Sequence, residues 1–393
     1  MDHPPPRILF AAPAWWPSRA FGGPIPVARE LVRRLVARGH EVDVVTTTLL
    51  DLHGRPGRRS RTADVDGATV HYLGTPLRYR WMGITPALPV ALARLPRADV
   101  GHVFGFRDPV TTGSAAWLRL RRIPYVFEPL GMFRPRLRKV RLKRMLDATL
   151  YSGVARGAAV VVVSSERERD DVVAGGVDAA KVHVRGNGFP DPYGGGRDGD
   201  LRARLGIAGG APLVLYVGRI AAGKGIEHLL AIADEVPDAH VVLSGPDDRH
   251  GIAAAVRRAA AGGRVHALPP TEEPPYDLYP QADVLVLPSE GESFGMAAAE
   301  AAAAGTPVVV SDRCGIAPFF DEGEALVVPY ERPAVVDAVR RIVSDRALRE
   351  RLSRGGVDAA RRNSWERVVD RQEAIYRAVA SRAAATKLST DGS

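Results

Sequence analysis

Short apolar runs, many of them rich in valine, alternate along the chain with longer stretches whose apolar residues recur every three or four positions. In the first half the runs 8–12, 41–46, 69–73, 100–104, 125–127 and 160–163 predict strands, and 25–38, 111–120, 136–156 and 166–174 predict helices. Gly39 stands where a helix ending at 38 needs a residue that tolerates a left-handed turn. The strands lack polar alternation, so both of their faces are expected under helices, as in a parallel sheet. Strand–helix alternation of this kind predicts a doubly wound α/β domain.

The segment 187–196 (NGFPDPYGGG) interrupts that rhythm with glycine and proline and reads as a linker. The alternation then resumes. Strands are predicted at 213–217, 240–243, 265–267, 284–287 and 307–310, and helices at 226–234, 252–261 and 295–304. Helical segments follow from 333 to about 380. The division this implies is a first domain over 1–190, a linker over 191–210 and a second domain over 211–365. A closing helix over 366–382 is a candidate to cross back to the first domain, and a disordered tail is expected over 383–393. At 393 residues the chain is too long for one ordinary core, which agrees with two domains. Two such domains predict a cleft, with ligands at the carboxyl ends of strands.

Composition narrows the class. Hydrophobic content of 46% and charged content of 25% fit a globular protein. A single cysteine, Cys314, excludes an internal disulfide and suits a reducing cytosol, so a cytoplasmic location is expected. No apolar run is long enough to span a bilayer, and the N-terminal MDHPPPRILFAAPAWW lacks the basic start and cleavage site of a signal peptide. The net charge of +9 favours an anionic ligand or surface. Part of the excess lies in 55–61 (RPGRRSR). More lies in 134–144 (RPRLRKVRLKR), which opens at Arg134, closes at Arg144 and carries seven basic residues interleaved with Leu137, Val140 and Leu142. Two readings of the latter stand: a solvated surface, or a basic amphipathic segment that docks peripherally on anionic lipid at the inner face of a membrane. Nothing resembles a helix-turn-helix, zinc-finger or stacked-aromatic nucleic-acid motif.

Two segments carry chemistry. In 215–225 (LYVGRIAAGKG) a strand ends at Gly218 and is followed by Arg219, a short loop, Lys224 and a helix start. Arg219 can bind phosphate in two-pronged fashion, and Lys224 adds a point charge. An ordinary ion-paired surface loop is the plain alternative. The spacing is neither a Walker loop nor, at the first strand, a GxGxxG fingerprint. In 282–312 (ADVLVLPSEGESFGMAAAEAAAAGTPVVVSD) a strand ends at Glu290 and Glu292, and a small-residue helix opens at Ser293-Phe294-Gly295. Glu300 follows Glu292 after seven residues. Such a turn sets backbone N–H donors beside a carboxylate at an anion site, with a second carboxylate further along the helix. A sugar-bearing nucleoside diphosphate needs both: donors for phosphate and acceptors for hydroxyls.

Together these motifs resemble the retaining GT-B glycosyltransferases of the family-four type, over nearly the whole chain and most strongly from 215 to 312. The resemblance implies two doubly wound Rossmann-like domains facing a cleft (GT-B), and a metal-independent retaining transfer from a nucleoside-diphosphate sugar, with no further cofactor, to an acceptor hydroxyl that could be lipid-linked. It implies that Arg219 and Lys224 hold the diphosphate and Glu292 contacts the transferred sugar. Glu300 would bind ribose, while Ser293, Phe294, Gly295 and Met296 lie along sugar and phosphate beside Gly218. Gly22 and Gly23 look like the family's glycine loop of the first domain, and Asn187-Gly188 matches its NG before the linker. Two positions depart from the pattern. Leu130 stands where a histidine is common, and only His102 remains of a His-x-His pair. Glu128 is therefore a candidate for the group facing the anomeric carbon, as is His102, for which a structural role is the favoured alternative. A nucleotide-sugar epimerase of the same fold and a non-catalytic nucleotide-sugar binder are the competing readings.

Overall fold

The computed structural model describes residues 5–18, 23–50, 57–79, 82–133, 152–193, 200–247, 251–269 and 275–391, those from 383 onward as backbone only. Contacts divide the chain into two units, 1–186 with 368–393, and 187–367.

The first unit is built on β1 (Ile8–Ala11), β2 (Val42–Thr47), β3 (Arg61–Val65), β4 (Ala68–Leu73), β7 (Val100–Phe104), β8 (Tyr125–Glu128), β9 (Val160–Val163) and β10 (Val182–Val184). They form one sheet in the order β10-β9-β8-β7-β1-β2-β4-β3, parallel except for β3 on β4. A separate hairpin pairs β5 (Leu77–Tyr79) with β6 (Met82–Ile84). Around the sheet lie α1 (Pro24–Ala37), α2 (Leu88–Arg94), α3 (Pro109–Leu120), α4 (Ser152–Gly157) and α5 (Glu166–Ala174). Gly39 ends α1 with φ of 89° and its N–H on the Val36 carbonyl, as expected of that glycine. The sequence pattern missed β3, a polar and largely exposed edge strand that buries no face, and the short β5, β6 and β10.

The second unit carries a wholly parallel sheet of β11 (Leu213–Val217), β12 (His240–Ser244), β13 (Val265–Leu268), β14 (Val284–Leu287), β15 (Val308–Ser311) and β16 (Leu326–Val328). Their order, β13-β12-β11-β14-β15-β16, is the Rossmann order 3-2-1-4-5-6. Its helices are α6 (Leu201–Arg204), α7 (Ile226–Glu235), α8 (Gly251–Ala260), α9 (Met296–Ala303), α10 (Arg332–Ser344) and α11 (Arg346–Arg362). The alanines of α9 leave so little bulk that Gly356 of α11 comes against the Ala302 backbone. Every central strand is buried on both faces, as the valine-rich runs require.

Two expected boundaries change. Leu201 and Ile207 fall in the 191–210 linker, yet both are buried in the second unit's core, and Phe189 packs there as well. Glycine and proline marked the joint, but apolar residues on either side of it had a core to enter. The closing helix α12 (Trp365–Asp391) runs well past 382, so its backbone is helical over most of the expected tail. AAATKL is made largely of good helix formers, which extend a helix once one is nucleated. The basic stretch 134–144 and Gly22 lie outside the described residues, as does the expected helix over 136–156 up to residue 151. Among the described residues no helix is long and apolar enough to cross a membrane.

Candidate functional site

The order of the second sheet reverses between β11 and β14, whose Leu215 and Leu285 are register partners. Loops leaving two such strands diverge and open a crevice at their carboxyl ends. The two loops that leave this pair are 218–225 and 288–295, the two segments that carry the candidate residues. The fold thus sets side by side motifs separated by about seventy residues of sequence.

Backbone contacts lock the loops together. The Glu290 N–H donates to the Gly223 carbonyl at 2.9 Å. Gly225 takes φ of 68°, and a Cβ there would sit 1.9 Å from the Pro288 carbonyl oxygen, so only glycine permits the approach. The neighbouring strand end joins in. Gly218 N–H donates to Ser244 and Ile220 N–H to Pro246. Tyr216, buried at the end of β11, donates its hydroxyl to the Arg219 carbonyl at 2.8 Å.

On this frame the Lys224 ammonium donates to Oε2 of Glu292, and both side chains are partly buried. Arg219 is exposed. Gly295 opens α9 with φ of 120°, where a Cβ would meet Leu287 and Ile316 at 2.9 and 3.1 Å. The Ala298 N–H turns back on the Gly295 carbonyl at 3.0 Å, while helix geometry gives the N–H groups of Met296 and Ala297 no partner inside the helix. The site therefore joins the Lys224 cation, the Glu292 carboxylate and a helix N-terminus, with Arg219 exposed on the same loop as Lys224, a set suited to a diphosphate beside a hydroxylated ring. Phe294 contributes differently from its neighbours. Its ring is buried edge-on against Phe189 and Phe319, and its carbonyl accepts from the Ile316 N–H. Ser293 is partly buried on the same turn.

Glu300 lies one turn into α9. Tyr279 donates its hydroxyl to Glu300 Oε2, and Tyr193 donates to the Glu300 carbonyl at 3.2 Å. Burial pushes the Glu300 carboxyl up to about 7, against the lowering effect of the Tyr279 hydrogen bond. The carboxylate thus sits close to its protonation midpoint at neutral pH. Cys314 lies beneath the 288–292 loop with its thiol toward the Leu287 carbonyl, and burial pushes that thiol up to about 11, which makes it inert. Sequence reasoning gave Gly225, Tyr279 and Cys314 no part in the site, although Gly225 lay inside its cationic motif and Cys314 was noted as the lone cysteine. A glycine directly before a helix and after a lysine was the available sign for the first; the other two become visible only in three dimensions.

In the first unit both candidates for the group facing the anomeric carbon are buried and partnered. Glu128 closes β8 and is 1% exposed, and His102 in β7 is fully buried. Arg185, 2% exposed, donates through both terminal nitrogens to the two Glu128 oxygens at 2.9 Å, and also to Gln372 at 2.8 Å. Burial alone would raise the Glu128 carboxyl, but the Arg185 charge overcomes it and holds the group below the usual glutamate value. His102 stacks on Phe10 with ring centroids 4.6 Å apart and meets the Tyr376 hydroxyl through Nδ1 at 2.5 Å. Burial lowers its basicity despite Glu128 beside it, so the ring is neutral. Both side chains are buried within the first unit. Gln372 and Tyr376 come from α12, and the same helix places Glu373 on His40 and Arg38 at 2.8 and 2.9 Å. The cluster is an anchor for the closing helix.

Leu130, in the loop after β8, holds φ of 58°, a left-handed conformation that is strained for a bulky residue. The next N–H, of Gly131, is fixed by the buried carboxylate of Glu168, which also takes the Ser164 N–H at 2.9 Å. Gly23 caps α1 without a side-chain bond. Two Asp-x-Asp pairs occur in the chain. Asp64 and Asp66 lie at the β3 edge with Asp66 paired to Arg29 at 2.6 Å, and the pair at 198–200 is described only at Asp200.

Two family models match the chain. One described as glycosyl transferases group 1 covers 198–358, and one described as a glycosyl transferase 4-like domain covers 22–188. A D-inositol 3-phosphate glycosyltransferase of Xylanimonas cellulosilytica is 28% identical over 401 aligned residues, 90% of this chain and 91% of its own. An alpha-D-kanosaminyltransferase of Streptomyces kanamyceticus is 30% identical across 57% of this chain and 61% of its own. Among solved structures, sucrose-phosphate synthase from Thermosynechococcus elongatus superposes with a TM-score of 0.77 at 22% identity, covering 96% of this chain and all of that one. Anabaena Alr3699/HepE in complex with UDP and glucose gives 0.73 at 18% identity, covering 94% of this chain and 98% of its own. At these identities the structural likeness establishes the two-domain Rossmann-like fold.

Proposed function

The chain belongs to the GT-B glycosyltransferases of the family-four type, and on that premise we propose a metal-independent transfer that retains anomeric configuration, from a nucleoside-diphosphate sugar to an acceptor hydroxyl. The observation that carries this reading is the meeting of Lys224, Glu292 and the N-terminus of α9 at the switch point of one sheet.

In the proposed reaction the bond between the sugar's anomeric carbon and the leaving phosphate oxygen breaks, and the acceptor oxygen bonds to that carbon. The acceptor's proton passes to the departing phosphate. Negative charge grows on the diphosphate as the sugar takes on oxocarbenium character. Arg219, Lys224 and the opening N–H groups of α9 stabilise that charge where it appears, which supplies the electrostatic role a divalent ion would otherwise fill. In the free protein the Lys224 charge is held by Glu292. A partly exposed pair of this kind is worth about 0–1 kcal/mol, so an arriving diphosphate takes the ammonium at little cost and frees Glu292 for sugar hydroxyls. Glu300 accepts from the ribose hydroxyls.

The base, sugar and acceptor are open, and inositol phosphate, the acceptor in a relative's name, is the first acceptor to try. A thermal-shift screen of UDP-, GDP-, TDP- and ADP-sugars tests the reading, because a ligand bound only by the folded state raises its melting temperature. One donor class should stabilise the protein, and EDTA should leave both that shift and turnover unchanged. NMR of the product should show the donor's anomeric configuration. An epimerised donor without acceptor, or no response to any nucleotide sugar, refutes the assignment.

A further inference from the structure

The β5–β6 hairpin of the first unit has one wholly apolar face. Leu77 pairs with Ile84 and Tyr79 with Met82 in antiparallel register, so these four side chains share a side. The side is turned to solvent: Leu77 and Tyr79 are each 61% exposed and Ile84 is 38% exposed. The opposite side is the packed one, where Gly83 lies so close to Thr75, Thr47 and Leu49 that a Cβ would meet them within 3.2 Å. Further along the chain Pro86, Pro89 and Val90 are exposed as well. A contiguous apolar face of this kind on a folded unit marks an interaction surface.

Its margin is basic. The segment 57–60 runs beside the start of β5, with Thr75 N–H on the Gly57 carbonyl and Gly74 N–H on Ser60, and there Arg58 and Arg59 are exposed. Arg94 and Arg97 are exposed at and beyond the end of α2. From Gly67 to Ala98 the chain holds no aspartate or glutamate. A second copy docked face to face would set these arginines against each other.

We propose that this hairpin face docks the protein on an anionic bilayer surface. Leu77, Tyr79 and Ile84 enter the boundary between headgroups and acyl chains, and the flanking arginines pair with lipid phosphates, the apolar-plus-basic combination that holds a peripheral protein on a membrane. The contact is independent of the donor-site reading and distinct from any docking through 134–144.

Sedimentation with vesicles tests it. Full-length protein should pellet with vesicles of equal parts phosphatidylcholine and phosphatidylglycerol and stay in the supernatant with phosphatidylcholine alone, and added salt should release it. Leu77→Ser with Tyr79→Ser and Ile84→Ser should lower the partition coefficient at least ~30-fold, about 2 kcal/mol at 1.4 kcal/mol per tenfold. Arg58→Ser with Arg59→Ser should weaken binding to anionic vesicles and steepen its loss with salt no further. The melting temperature checks that each variant folds. Wild-type protein that ignores anionic vesicles overturns the proposal. So does a triple variant that binds as wild type does while charge removal within 134–144 abolishes binding. Wild-type dimers that the triple variant loses would assign the face to self-association instead.

Discussion

Removing Arg185 should destabilise the first unit heavily, and the size of the loss tests the structural role given to Glu128. Arg185→Met deletes both hydrogen bonds to the Glu128 carboxylate and the one to Gln372, in a place where Glu128 is 1% exposed and the nearest other polar group, His102, is neutral. A buried pair broken from one side costs about 3–5 kcal/mol, because the remaining charge stays out of water. Glu128→Leu with Arg185→Met removes both charges, and should restore about 2–3 kcal/mol of that loss as a coupling energy. The sign of the pH dependence follows from the carboxyl's position. In the wild type it is held below its ordinary value, so its stabilisation is present above the unfolded pKa, near 4.5, and is lost as pH falls through the folded value. In Arg185→Met the charge that held the carboxyl down is gone and burial, opposed only by His102, pushes it upward, so the gap to wild type is widest at neutral pH and narrows on acidification. Urea unfolding followed by tryptophan fluorescence measures this, since every tryptophan except Trp365 belongs to the first unit. A loss under about 1 kcal/mol for Arg185→Met would refute the anchor. A folded Glu128→Leu variant with donor turnover reduced a hundredfold or more would return Glu128 to the reacting centre.

Further expectations concern the donor loops. Lys224→Ala should lower kcat by about 10²–10³, as for other lost contacts to developing charge, while shifting the melting temperature little, and kinetics within tenfold of wild type would dismiss the clamp. Gly225→Ala must move the two loops apart, since its Cβ would lie 1.9 Å from the Pro288 oxygen and its φ is left-handed; donor-induced thermal stabilisation should vanish. Calorimetry should find nucleotide-sugar affinity rising from pH 6 to pH 8 if ribose hydroxyls donate to the ionised Glu300 carboxylate as proposed, since burial pushes that carboxyl up to about 7. The free protein should show the opposite trend, its raised carboxyl contributing stability that is lost as pH climbs through 7, and Glu300→Gln should flatten both profiles.

Much of this molecule was legible in one dimension because its signals are local. Valine-rich runs fixed most buried strands, since a strand covered on both faces has no polar positions to spare. Glutamates at 292 and 300 around a glycine turn and a cationic loop after Gly218 announced an anion-and-hydroxyl site. What sequence spacing left undecided is contact between residues far apart along the chain. Lys224 reaches Glu292 only because the sheet places β11 next to β14. Glu128 and His102 read as candidates for a sugar-facing group, with a structural role open for His102, until α12 sets Tyr376 on His102 and Gln372 on Arg185, which pairs with Glu128. The same logic separates the faces of the β5–β6 hairpin: alternation told which side chains share a side, but only packing of Gly83 against Thr47 and Leu49 decided which side meets water. Local preference depends on neighbours in sequence, whereas burial depends on what the rest of the chain lays on top.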